Sequence, residues 1–183
     1  MGTLFVVTGP SGAGKDSVIA KARDLGLSFA SITTTSTRPM RPGEAEGNPY
    51  YFVSKEEFEQ KIDRGEMIEY AEVYGNYYGS TRAEVERVLK GNDVVVVKVD
   101  PQGARTFKEM IPEAHTIFIK PPSFEALEHR LVHRASDAPE VIAKRLEVAR
   151  QELENLEFWN TVIVNEEGKL EDAAKQLIAV VSK

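Results

Sequence analysis

Residues 3–17, Thr-Leu-Phe-Val-Val-Thr-Gly-Pro-Ser-Gly-Ala-Gly-Lys-Asp-Ser, constrain this chain more than any other stretch. The apolar run Leu4 to Val7 reads as a short buried strand. It breaks into a glycine-rich turn, Gly9-Pro10-Ser11-Gly12-Ala13-Gly14, and a helical pattern then starts near Lys15 and carries Val18, Ile19 and Ala22 on one face. Strand, glycine turn and helix in that order are the context in which G-x-x-x-x-G-K forms a phosphate cradle. Glycines let backbone N–H groups turn inward without a Cβ clash. The helix N-terminus adds its dipole and its free donors. Lys15 adds a point charge within reach of the β- and γ-phosphates, so residues Gly9 to Ser17 are read as a site for the phosphates of a nucleotide.

One position departs from that pattern. After the lysine a Ser or Thr hydroxyl ordinarily ligates Mg2+. Here Asp16 takes the place and Ser17 follows. A carboxylate is itself a hard-oxygen ligand. Asp16 is therefore expected at the metal, together with Asp100, which ends the most apolar strand, Val94 to Val99.

A chain of 183 residues suits one domain with an inserted subdomain. Its net charge of −6 argues against a general nucleic-acid binder, though not against a small anion, where only local charge matters. The absence of cysteine excludes disulfides, thiolate catalysis and cysteine metal sites. No apolar run approaches the ~18 residues of a membrane span, and the N-terminus lacks the pattern of a secretory signal, so a cytoplasmic protein is expected.

Along the chain, strands and helices alternate. The pattern predicts strands at 27–32, 50–53, 67–73, 77–80, 94–99, 115–119 and 161–164, with a Gly75-Asn76 turn. Helices are expected at about 15–25, 55–64, 82–89, 102–110, 123–134, 139–156 and 169–182. Ser54 is placed to cap the second helix with Glu57 at the capping-box position. Such alternation implies parallel strands with right-handed crossovers. Residues 33–49 hold three prolines, two glycines and five hydroxyl side chains and are expected to form no regular element. A long polar loop inside a compact domain is usually functional. Arg38 and Arg41 lie in it, and Arg is the residue for bidentate phosphate recognition. All six tyrosines fall within 50–78; about half are expected to serve as an aromatic core and the rest to face a ligand.

At these residues the chain resembles the guanylate kinases over almost its whole length. The likeness rests on Gly-Pro-Ser-Gly-Ala-Gly-Lys at 9–15, Ser-Thr-Arg-Pro-Met-Arg-Pro-Gly-Glu at 36–44, Tyr-Tyr-Phe-Val-Ser at 50–54 and Glu69. It continues through Gly-Asn-Tyr-Tyr-Gly-Ser at 75–80, Asp-Pro-Gln-Gly at 100–103, Pro-Pro-Ser at 121–123, Arg-Leu-Val-His-Arg at 130–134 and Ile-Val-Asn at 163–165. The resemblance implies an α/β P-loop NTPase core of parallel strands flanked by helices, made of 1–32, 82–121 and 146–183. It implies a small mixed α/β GMP-binding insert at 33–81 and a helical lid at 122–145. The implied activity is transfer of a phosphoryl group from ATP, with Mg2+, to GMP or dGMP. By the same likeness Arg38, Arg41, Tyr50 and Tyr78 hold the GMP phosphate, and Thr34, Glu69 and Ser80 read the guanine. Arg130, Arg134 and Arg145 come from the lid onto the transferring group as catalytic residues with Lys15, and Asn165 approaches the adenine. Implied partners are small molecules only, with no nucleic acid or membrane, and a monomer or homodimer.

The chemistry of the residues agrees. Guanine offers N1–H and N2–H2 side by side to one carboxylate, whereas adenine would face Glu69 lone pair to lone pair, and leaving such groups unpaired rejects a substrate by orders of magnitude. Arg130 and Arg134 are four apart and share a helix face. His129 and His133 have a zinc-like spacing, but no third ligand is evident and metal binding there is not expected. No general base is required, because a phosphate monoester with a second pKa near ~6 is already ionised at neutral pH.

Three positions differ from the family pattern: Asp16 for a hydroxyl, Lys98 for an acid and Ala135 for a glycine. The Lys-Asp-Ser ending of the P-loop is similar to that of ribose 1,5-bisphosphate phosphokinases, which have no guanine to read. A non-catalytic guanylate-kinase-like interaction module is a further alternative, although such a module could lose Lys15 and the arginines freely. Lys98 and Asp100 are two apart, so they share a face of their strand. Lys98 is expected within ion-pair reach of Asp16 or of the GMP phosphate.

Overall fold

In the computed structural model, residues 1–73, 75–133 and 139–182 are described. The backbone follows the order β1 (Thr3–Thr8), α1 (Lys15–Asp24), β2 (Ala30–Ser31), β3 (Thr34–Ser36), β4 (Tyr50–Phe52), α2 (Lys55–Asp63), β5 (Met67–Val73), β6 (Asn76–Thr81) and α3 (Arg82–Gly91). It continues with β7 (Val94–Lys98), α4 (Pro101–Met110), β8 (His115–Lys120), α5 (Phe124–His133), α6 (Pro139–Glu154), β9 (Thr161–Val164) and α7 (Leu170–Val181). A five-stranded sheet has the order β2-β7-β1-β8-β9, and a four-stranded sheet has the order β4-β3-β6-β5.

The chain divides into two compact units. One holds Phe5–Ser28, Lys98–Ala104 and His115–Lys183. In it β1, β8 and β9 pair in parallel, with Val7 opposite Ile117 and Ile119 opposite Ile163. These strands read as continuous apolar runs because both faces are covered, and Val6, Val7, Ile117, Phe118 and Ile119 are fully buried. Trp159 stacks on Phe118 with ring centroids 5.1 Å apart. Helices α1 and α7 bury Val18, Ala22, Ala173, Ala174 and Leu177.

The other unit holds Met1–Leu4, Phe29–Val97 and Arg105–Ala114. Its four-stranded sheet carries α2, which Ser54 caps as expected. The Ser54 hydroxyl accepts the Glu57 N–H, and the Glu57 carboxylate accepts the Ser54 N–H. Phe58 on α2 is fully buried and stacks on Tyr77 at 5.2 Å, with Tyr70 edge-on to both.

Two expectations are corrected. Residues 33–49 are not wholly irregular, because Thr34–Ser36 form a strand that pairs in parallel with β4 and antiparallel with β6. Ladders on both sides satisfy its backbone, and the β-branched Thr35 fits a buried pleat, so its hydroxyl residues do not prevent strand formation. The strand expected at 27–32 shrinks to Ala30–Ser31. Leu27 is spent on ending α1: Gly26 adopts φ +99° and the Leu27 N–H donates back to the Ala22 carbonyl.

Candidate functional site

The phosphate cradle is built from three local events. Strand β1 delivers the chain, Gly9 and Gly14 turn it with φ of +140° and +87°, and α1 opens at Lys15. A Cβ at Gly9 would collide with the Ile119 carbonyl, and one at Gly14 with the Asn165 amide. Both glycines are therefore needed twice, for their backbone angles and for close approach. Asn165, buried just after β9, holds the loop from behind: its Nδ2 donates to the Ala13 carbonyl at 2.9 Å. Its own N–H donates to the Lys120 carbonyl, and its carbonyl accepts Arg130 Nη2 at 2.8 Å.

Lys15 Nζ donates to the carbonyls of Gly9 at 2.5 Å and Pro10 at 3.0 Å. Burial holds its pKa below the ordinary lysine range, and the negative charges of Glu152, Asp16 and Asp100 oppose that shift. Glu152, on α6, is pushed up to about 7 by burial, with Asp100 adding to the shift and Lys15 opposing it. Asp100 accepts the Gly103 N–H at 2.7 Å and so caps α4. Lys98 is ion-paired with Asp16, one of the two partners expected for it, although β7 ends at Lys98 and Asp100 lies beyond the strand rather than on its face. Asp16 and Asp100 supply oxygen donors of the kind Mg2+ takes, and Asp16 is exposed beside Lys15, so the donor set fits that ion.

The second cluster lies in the four-stranded sheet, where each strand contributes. Tyr50 comes from β4, Thr34 from β3, Tyr78 and Ser80 from β6, and Glu69 from β5. Ser80 and Glu69 face each other across the β5–β6 ladder, and the Ser80 hydroxyl donates to Glu69 Oε1 at 2.8 Å. Ser80 is fully buried and Glu69 half-buried, so the carboxylate is held by a buried neighbour. Tyr77 stacks within the aromatic core with Tyr70 edge-on to it at the rim, and Tyr50 and Tyr78 meet edge-on at 5.7 Å. The Arg38 guanidinium lies 5.1 Å from the Tyr50 ring and 5.4 Å from that of Phe52.

Arg38 also shows a partner that motif reasoning did not single out. Glu44 accepts Arg38 through both oxygens, at 2.9 and 2.7 Å, and accepts the Arg41 N–H at 2.7 Å. The Arg38 guanidinium and the Arg41 amide hold the Glu44 carboxyl down to about 2. Its spacing, three residues after Arg41, was the available signal. Glu84 was missed as well. It is buried on α3, accepts the Thr33 N–H at 3.2 Å, and pairs with Arg87 at 2.8 and 2.9 Å. An acid on the inward face of an amphipathic helix was its signal. Arg130 and Arg145 stand on α5 and α6, half-buried, while Arg134 and Ala135 lie outside the described residues. His129 and His133 stack on each other at 3.8 Å.

A parallel sheet with a glycine cradle at the end of β1, a half-buried lysine and acidic oxygen donors defines a P-loop kinase. A guanylate kinase family model matches residues 1–183, and the chain belongs to that family. The guanylate kinase of Vibrio parahaemolyticus is 46% identical over 168 residues, covering 91% of this chain and 81% of that protein. That of Thermus thermophilus is 44% identical over 181 residues, covering 99% and 81%. A crystal structure of guanylate kinase from Anaplasma phagocytophilum matches with a TM-score of 0.72 at 32% identity, covering 99% of this chain and 85% of that one. A sugar kinase from Janibacter, at 18% identity and a TM-score of 0.51, shares the fold. Among the described residues no helix is long and apolar enough to cross a membrane.

Proposed function

We propose that this chain transfers the γ-phosphoryl group of ATP to GMP. Membership of the guanylate kinase family supports the reaction. The observation that carries the acceptor is the Glu69 carboxylate held by the Ser80 hydroxyl at 2.8 Å, because a carboxylate beside a hydroxyl matches the paired donors of guanine.

In this reading an ionised phosphate oxygen of GMP attacks the γ-phosphorus of ATP. The bond from that phosphorus to the β–γ bridging oxygen breaks, and GDP and ADP leave. Gly9 to Ser17 bind the ATP phosphates, with Asn165 supporting the loop and approaching the adenine. Thr34, Glu69 and Ser80 orient the guanine, while Arg38, Arg41, Tyr50 and Tyr78 hold its phosphate. Lys15, Arg130, Arg134 and Arg145 neutralise charge that spreads over the transferring group. Asp16 and Asp100 would hold Mg2+, which supplies further neutralisation at the β- and γ-phosphates when bound. Residues 33–81 act as the acceptor insert and 122–145 as a lid that excludes water. A cytoplasmic monomer or homodimer acting on small molecules belongs to the same reading.

A coupled ADP-release assay against GMP, dGMP, AMP, UMP and ribose 1,5-bisphosphate tests it. GMP is expected to give the highest kcat/KM. A higher value with AMP or ribose 1,5-bisphosphate would refute the base-reading assignment, and no turnover with any acceptor would favour an interaction module.

A further inference from the structure

The ion pair between Lys98 and Asp16 is the feature of the phosphate cradle that a P-loop does not require. The two residues are 82 apart in sequence and meet through Nζ and Oδ1. Asp16 stands in the first turn of α1, at the position whose hydroxyl ordinarily ligates Mg2+. Lys98 ends β7, two residues before Asp100. The carboxylates of Asp16, Asp100 and Glu152 favour the charge of Lys15 and the ammonium of Lys98 opposes it, so charges of both signs are gathered around the group that would touch the β- and γ-phosphates.

Three properties of the pair matter. Among the described residues Lys98 is the cation paired with Asp16. Its side chain is 45% exposed and that of Asp16 is 79% exposed, so water and ligand reach both. An ion pair this exposed is weak and yields readily to a stronger partner. A bare carboxylate at position 16 would repel the phosphates of an incoming nucleotide, and an ammonium on it removes that repulsion.

We propose that Lys98 and the divalent cation compete for Asp16. In the metal-free protein Lys98 neutralises the P-loop carboxylate. When the metal–nucleotide complex binds, the cation takes Asp16 and the released ammonium is left beside the phosphates. Lys98 is thus a positioning residue that sets how strongly nucleotide binding depends on the metal. The inference rests on the reading of residues 9–17 as the ATP site.

Calorimetric titration of the full chain with ADP, once in EDTA and once in Mg2+, reads this directly. In wild type, failure to bind ADP under either condition would sink the nucleotide-site reading itself, separately from this proposal. For Lys98→Gln, metal-free ADP binding is expected to weaken about three- to tenfold, from loss of one near-surface charge contact. Binding in Mg2+ should weaken less, because the cation no longer has to displace the lysine. The Mg2+ enhancement, the ratio of the two dissociation constants, should therefore rise about threefold or more. Lys98→Arg should keep the wild-type ratio. In an Asp16→Ser background, Lys98→Gln should leave the ratio unchanged, since nothing remains to compete for. Equal weakening with and without Mg2+ would show Lys98 to be a plain phosphate contact and overturn the proposal, as would the same rise in the Asp16→Ser background.

Discussion

Glu84→Ala is expected to destabilise the protein and to weaken acceptor binding, although Glu84 belongs to neither ligand cluster. Its side chain is 5% exposed and accepts the Thr33 N–H at 3.2 Å. Removing the carboxylate orphans that N–H in a half-buried site, which costs about 1–3 kcal/mol. Loss of one buried methylene adds about 0.8 kcal/mol. Arg87 is 64% exposed, so water replaces its lost partner and it adds little. The sum is about 2–4 kcal/mol, which for a chain of this size lowers Tm by roughly 4–16 °C. The effect should also reach the acceptor. Thr33 precedes Thr34, and Tyr51, whose hydroxyl lies 3.5 Å from Glu84, follows Tyr50 on the paired strand. KM for GMP should rise severalfold while KM for ATP and kcat change less. Thermal unfolding and steady-state kinetics of Glu84→Ala, with Arg87→Ala alongside, measure both. A Tm within 1 °C of wild type, or an Arg87→Ala loss as large as that of Glu84→Ala, would refute the reasoning.

Three further outcomes are expected. Glu69→Gln turns an acceptor toward the guanine donors into an amide carrying its own donor, and kcat/KM for GMP in the ADP-release assay should fall about a hundredfold or more while ATP binding is kept. Glu44→Gln removes the carboxylate that Arg38 clasps, so KM for GMP should rise. The Glu44 pKa is depressed to about 2, so its interaction is fully present above about 4.5 and is lost only as pH falls toward 2; over pH 5–8 this pair should leave the GMP KM flat. Glu152 is the opposite case, an acid raised to about 7: between about 4.5 and 7 the unfolded chain ionises while the folded one stays protonated, so stability contributed there falls as pH rises. Urea midpoints at pH 5.5 and 8.0 should show Glu152→Gln gaining on wild type at the higher pH, and a constant difference would contradict the assigned shift.

Features that depend on neighbours in sequence were legible without a structure. The strand, glycine turn and helix of residues 3–24, the capping box at Ser54 and Glu57, and the strand Thr161–Val164 each follow from local periodicity and local hydrogen bonds. The meeting of Lys98 and Asp16 was also within reach, because a sheet of this kind gathers its ligand groups at the strand ends and β7 stops at Lys98. What depended on distant partners was not legible. Thr34–Ser36 look like loop until β4 and β6 supply ladders on both sides, and Leu27 looks like strand until its N–H is used to close α1. Glu44 and Glu84 look like surface acids until the fold brings Arg38 to one and the Thr33 amide to the other. Local propensity differs by only about 1 kcal/mol between competing states, and a single pair of long-range ladders or one buried acceptor outweighs it.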